Sequence, residues 1–114
     1  MTLPKAALIW CPFPDEASAM QAADLLLDEE LVACVNIMPA IRSLYRWNGL
    51  KDEGREVGVL FKSNDALLDS AIKRIGSLHP YQTPAITGWV CDASSPDTLG
   101  WLANLSGGRK EGSA

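Results

Sequence analysis

The sequence predicts an α+β domain: a four-stranded antiparallel sheet with two helices on one face, a long hairpin and a short last helix. Three observations carry this expectation. Two segments with helical spacing of apolar residues, 15–30 and 64–78, alternate with strand-like runs in the order β-α-β-β-α-β. Runs 32–47 and 55–62 flank the polar stretch NGLKDEG, so they return on each other as a hairpin. At 114 residues, with 47% hydrophobic and 21% charged side chains, the chain has the size and balance of one globular domain.

The first strand is AALIWC (6–11), short, apolar and bounded by Pro4 and Pro12. Asp15 then suits a helix N-cap, and Glu16 complements the positive helix end. Met20, Ala23 and Leu27 fall at helical spacing and mark the expected buried face. In the long second strand Val35, Ile37, Ile41, Tyr45 and Trp47 share one parity and line one face if the register is unbroken. Pro39 cannot donate to a ladder, which implies an edge position, a bulge or a bend there. REVGVLFK (55–62) is its partner.

In the second helix Asn64 or Asp65 is the expected cap. Leu68, Ile72 and Ile75 form its apolar stripe, and Gly76 is a stop signal. The loop LHPYQTP (78–84) leads to a fourth strand over 85–92, and Ser95-Pro96 opens the last helix. Residues 1–105 form the expected domain. SGGRKEGSA (106–114) has no apolar anchor and reads as a flexible tail. The order is that of the ferredoxin-like, split βαβ architecture. Its second sheet face would carry Met38, Leu44, Leu60 and Trp89. An apolar face of that size calls for cover, and self-association is the economical solution.

Charge narrows the function classes. The net charge is −4 and no run of Lys or Arg forms a patch, so neither nucleic acid nor an anionic membrane is an expected partner. Three scattered cysteines, Cys11, Cys34 and Cys91, argue against a secreted disulfide framework. With no apolar run near the length of a bilayer span and no cleavage-site pattern, a soluble cytoplasmic protein is expected.

Several chemistries lack their motifs. There is no CxxC or HxxxH spacing for structural zinc. His79, the one histidine, has no nucleophile elbow beside it, and no glycine-rich loop joins a strand to a helix. No enzymatic turnover is expected. A cuprous ion is less demanding, since it accepts two thiolates, or one thiolate with Met38, without a fixed spacing. The stretch LYRWNG (44–49) places Tyr45 and Trp47 beside Arg42 and Arg46. In an acidic chain those aromatics suit packing against a neighbouring subunit better than base stacking.

ACVNIMPAIRSLYRWNG (33–49), EVGVLFK (56–62) and LHPYQTP (78–84), in this order and spacing, resemble the CutA divalent-cation tolerance protein family. The resemblance runs from about Ile9 to Leu102. It implies a ferredoxin-like subunit in a homotrimer, similar to PII-type signalling proteins. It also implies a cytoplasmic role in tolerance of divalent metals, copper above all, with no obligatory cofactor. Carried over residue by residue, it implies Cys34 as the principal metal ligand, with Cys11 and His79 as lesser ones. Tyr45, Trp47, Tyr81 and Gln82 would lie at the trimer interface or its clefts. Where the family loop carries acids this chain has Gln82 and Ala85, so a site here leans on the Cys34 thiolate rather than on carboxylates. A PII-like scaffold that binds a small ligand or a protein partner at subunit clefts is the competing expectation.

Overall fold

The structure, a computed structural model, describes residues 2–107. Its elements run β1 (Ala6–Phe13), α1 (Glu16–Asp28), β2 (Cys34–Trp47), β3 (Leu50–Asn64), α2 (Leu68–Leu78), β4 (Thr87–Val90) and α3 (Pro96–Ala103). The sheet order is β2-β3-β1-β4 with every neighbouring pair antiparallel, the expected ferredoxin-like arrangement.

Caps set the helix starts. Asp15 Oδ1 accepts from the Ser18 amide at 2.7 Å, and that bond holds its carboxyl below the usual range. Ser95 Oγ accepts from Thr98 N at 3.2 Å, with Pro96 at the first helical position as expected. The α2 start departs from expectation, because helix begins only at Leu68. Asn64 instead closes the preceding turn, accepting from Leu67 N at 3.1 Å and donating to Leu102 O at 2.8 Å. Gly76 does not end α2. The helix runs on to Leu78 and stops at His79, which is extended (φ −71°, ψ 138°) as a residue before proline must be.

The face of α1 also differs. Ala19, Ala22, Ala23 and Leu26 are buried, whereas Met20 and Leu27 are exposed. Small alanines let the helix lie close to the sheet, and the larger side chains are left at its margin. Ala19, Ala22 and Leu26 share one core with Ile9, Cys11, Phe13, Val57, Val59, Phe61 and Ile75. Arg74 clasps Glu29 with two nitrogens, Nη2–Oε2 being 2.7 Å, and ties α2 to the end of α1. Ser106 and Gly107 donate backbone N–H groups to Glu30 Oε1 and O, and residues 108–114 of the expected tail lie outside the described residues.

The hairpin is longer and tighter than the sequence suggests. Only Asn48 and Gly49 form its turn, with φ of 53° and 78°, and LKDEG is already strand. Two successive positive φ values are what a two-residue turn between twisted strands requires, and Asn-Gly adopts them at little cost. Pro39 lies on an edge strand, in a bulge: Met38 pairs with Gly58 and Ile41 with Glu56, three steps against two. The register is therefore broken, which corrects the single apolar face drawn from Val35 to Trp47. Val35 and Ile37 pack on the core. Ile41, Tyr45 and Trp47 share the opposite face with Met38, Leu60 and, across β1, Trp10 and Trp89. Leu44 moves the other way and is 75% exposed.

Candidate functional site

His79 closes α2 against the end of β1. Its ring stacks on Phe13 with centroids 4.2 Å apart. Nε2 lies 2.8 Å from the Pro12 carbonyl, and Nδ1 accepts from the Tyr81 amide at 3.1 Å. A carbonyl can only accept and an amide can only donate, so these partners select the neutral Nε2–H tautomer and occupy both nitrogens. The chain turn at Pro80 then brings the Tyr81 ring to 4.9 Å from the imidazole. Tyr81 Oη donates to Glu56 Oε2 at 2.8 Å, and burial, followed by that carboxylate, pushes the phenol up to about 12.

Beyond Tyr81 opens a cleft of about 600 Å³ between the hairpin and the loop. Tyr45 and Trp47 from β2, Glu56 from β3, and Pro12, Tyr81 and Pro84 form most of its walls. The bulge decides which β2 residues face it, since only the shifted parity turns Tyr45 and Trp47 toward Glu56. Ala85 lines the cleft, while Gln82, exposed in the same loop, does not. Sequence reasoning missed Glu56, whose place follows from pairing opposite Ile41 across the bulge. Its sequence signal is slight: a charge beside Arg55 at the head of the apolar run VGVLF.

The expected metal residues are not gathered. Cys11 is fully buried on the helix-facing side of β1, and its Sγ donates to the Pro12 carbonyl at 3.6 Å. Burial, and then the charge of Glu56, pushes its thiol up to about 12, so it stays protonated at neutral pH. Cys11 and His79 thus share one carbonyl. Cys34 opens β2 on the other sheet face, opposite Lys62, with Asn36 Oδ1 3.8 Å from its Sγ. Strand rise and spacing separate Cys34 from Cys11 by about 14 Å between Cα atoms. Among the described residues no group of three or more His, Cys, Asp and Glu could hold a metal ion. Of the three expected ligands, the chain therefore offers one partly exposed thiol, at Cys34, and no complete ligand set among the described residues.

The family model of the CutA1 divalent ion tolerance protein matches residues 7–105. The chain belongs to that family. The divalent-cation tolerance protein CutA of Yersinia pestis (strain Pestoides F) is 40% identical over 97 residues, covering 85% of this chain and 82% of the relative. Among solved structures, the divalent cation tolerance protein of Thermus thermophilus superposes with a TM-score of 0.84 at 32% identity, over 90% of this chain and 99% of that one. A CutA from Archaeoglobus fulgidus, described as a periplasmic divalent cation tolerance protein, gives 0.80 at 26% identity, over 85% and 94%. CutA membership places this chain among proteins of divalent-cation tolerance, a family without a known enzymatic activity. No helix among the described residues is long and apolar enough to cross a membrane.

Proposed function

We propose that the chain acts as a cytoplasmic homotrimer in divalent-metal tolerance, with copper the ion, Cys34 its principal ligand, and no turnover. Family membership over residues 7–105 is the observation that carries the metal role. Assembly is supported by the open sheet face, where Met38, Tyr45, Trp47 and Trp89 are each more than a third exposed. Burying such side chains against copies of the chain removes apolar surface from water at about 25 cal/mol per Å². A soft thiolate suits a cuprous ion, and further ligands would come from neighbouring protomers. Cys11 and His79 would join only after giving up their bonds to Pro12.

The test is native mass and metal content of untagged protein, followed by copper titration of the wild type and Cys34→Ser. A trimer whose copper stoichiometry falls in the variant supports the reading. A clean monomer ends the assembly, and identical titrations remove Cys34. The 600 Å³ cleft favours a second reading, a PII-like scaffold that binds a small ligand or a protein partner. A co-purified ligand, or a partner retained in the presence of chelator, would favour it.

A further inference from the structure

The hairpin has a second face that neither the metal role nor the cleft uses. Along β2, Arg42, Leu44 and Arg46 alternate with Tyr45 and Trp47, so they leave the ribbon on the side away from the open sheet face and its assembly. Pairing sets Arg42 opposite Arg55, Leu44 opposite Glu53 and Arg46 opposite Lys51, and Arg55 shares the parity of the core residue Val57. Four of the ten Lys and Arg residues therefore gather on this outer face, although no run of basic residues marks it in the sequence. Like charges directly opposite each other work against strand pairing. Among the described residues none of the four cations enters an ion pair, and Arg46 Nη1 only donates back to Gly49 O at 3.2 Å. We propose that this outer face docks an extended acidic segment of a partner protein, with acids four residues apart on the two cation pairs and an apolar side chain midway on Leu44.

Spacing and charge select this partner. Four residue steps of strand span about 13 Å, so the two cation pairs match acids at positions i and i+4 of an extended chain. Leu44 stands between them, 75% exposed, and offers an apolar residue at i+2 a surface to cover. A continuous polyanion, such as a nucleic acid or a polyphosphate, would carry its charge over Glu53 at the same midpoint. At the inner end Asp15 and Glu16 line the hollow beside Arg55, so an acidic segment stops at the Arg42 pair and does not continue onto the body of the domain. The chain as a whole is acidic, but at physiological salt charges beyond about 8 Å are largely screened, and the local complementarity decides. Neither Cys34 nor the cleft takes part, so this surface stands whether or not copper or a cleft ligand binds.

A fluorescently labelled peptide with glutamates at i and i+4 and a leucine at i+2, titrated with the native protein and followed by anisotropy, tests it. Saturable binding is expected, weakening as salt rises. Replacing Arg42 and Arg46 together by serine should weaken it about fivefold to tenfold, as should glutamine in place of both peptide glutamates. Leu44→Ser should weaken it about threefold. Native mass and circular dichroism check that each variant keeps its fold and assembly. Equal affinity for a polyphosphate or an oligonucleotide of the same charge overturns the acidic peptide as the partner. Equal affinity for the glutamine peptide overturns the charge recognition, and absence of saturable peptide binding overturns the docking face itself.

Discussion

Gly88 offers a sharp test of the packing between β4 and α2. It pairs with Ile9 on the helix-facing side of the sheet. A Cβ added there would stand 2.7 Å from Leu68 Cδ1, 3.1 Å from Ile72 Cδ1 and 3.2 Å from the Leu8 carbonyl. The carbonyl belongs to the strand framework and cannot swing aside, so α2 side chains must leave their rotamers. Overpacking of this kind costs about 1–3 kcal/mol, and the reduced freedom of an unfolded alanine returns about 0.5–1 kcal/mol. Gly88→Ala should therefore lose about 1–2 kcal/mol. Gly100, inside α3, has nothing within 4 Å of its added Cβ. There the same substitution should gain about 1 kcal/mol from helix propensity. Urea unfolding at one fixed protein concentration measures both, because the midpoints of a self-associating chain depend on concentration. With slopes of about 1–3 kcal/mol per molar urea, the two midpoints should move apart by roughly 1 M or more. A Gly88→Ala midpoint at or above wild type would refute the close approach of α2 to β4.

The remaining predictions concern the site. Alkylation of native protein at neutral pH should modify Cys34 and Cys91, both partly exposed, and spare the buried Cys11 until unfolding; mass mapping showing early Cys11 labelling would contradict its burial. The unfolded Cys11 thiol ionises from about 9 while the folded one keeps its proton to about 12, so the unfolded state sheds the proton first and stability falls across that interval. Cys11→Ala should show a shallower alkaline decline in unfolding free energy, and an unchanged slope would oppose the assignment. His79→Ala should lose about 2–4 kcal/mol, from the Phe13 stack and from the Pro12 carbonyl, which keeps only the weak Cys11 thiol as a donor. Thermal unfolding matching wild type would show that the loop does not depend on the imidazole.

The element order was legible because its signals are local. Asp15, Ser95-Pro96 and Asn48-Gly49 each act within three or four residues, so type and place of the element can be read directly. Errors arose where the deciding partner is distant or small. LKDEG read as loop because a ribbon wet on most sides shows no alternation of apolar and polar residues. The α1 face was misplaced toward Met20 and Leu27 because alanines carry weak hydrophobic signal, yet it is their smallness that permits close packing. His79 was visible as a residue held before a proline, but its partners, the Pro12 carbonyl and Tyr81 amide, are backbone groups that no side-chain motif encodes. Family resemblance pointed to the loop without disclosing that both ring nitrogens are engaged.

The bulge at Pro39 and Ala40 explains how one strand serves both readings of function. Without the extra residue, side chains of equal parity from Val35 to Trp47 would all project on the core side. With it, Val35 and Ile37 enter the core while Tyr45 and Trp47 turn toward Glu56 and the cleft. The same strand carries Cys34 at its opposite end. Thirteen residue steps of strand separate Cys34 from Trp47, about 40 Å at the usual rise. Within one chain, a substitution at one end therefore has no short path to the other. Loss of copper binding in Cys34→Ser with native mass unchanged would show that the metal end of the strand and the assembly face are separable, and joint loss would require that Cys34 itself lies where copies meet.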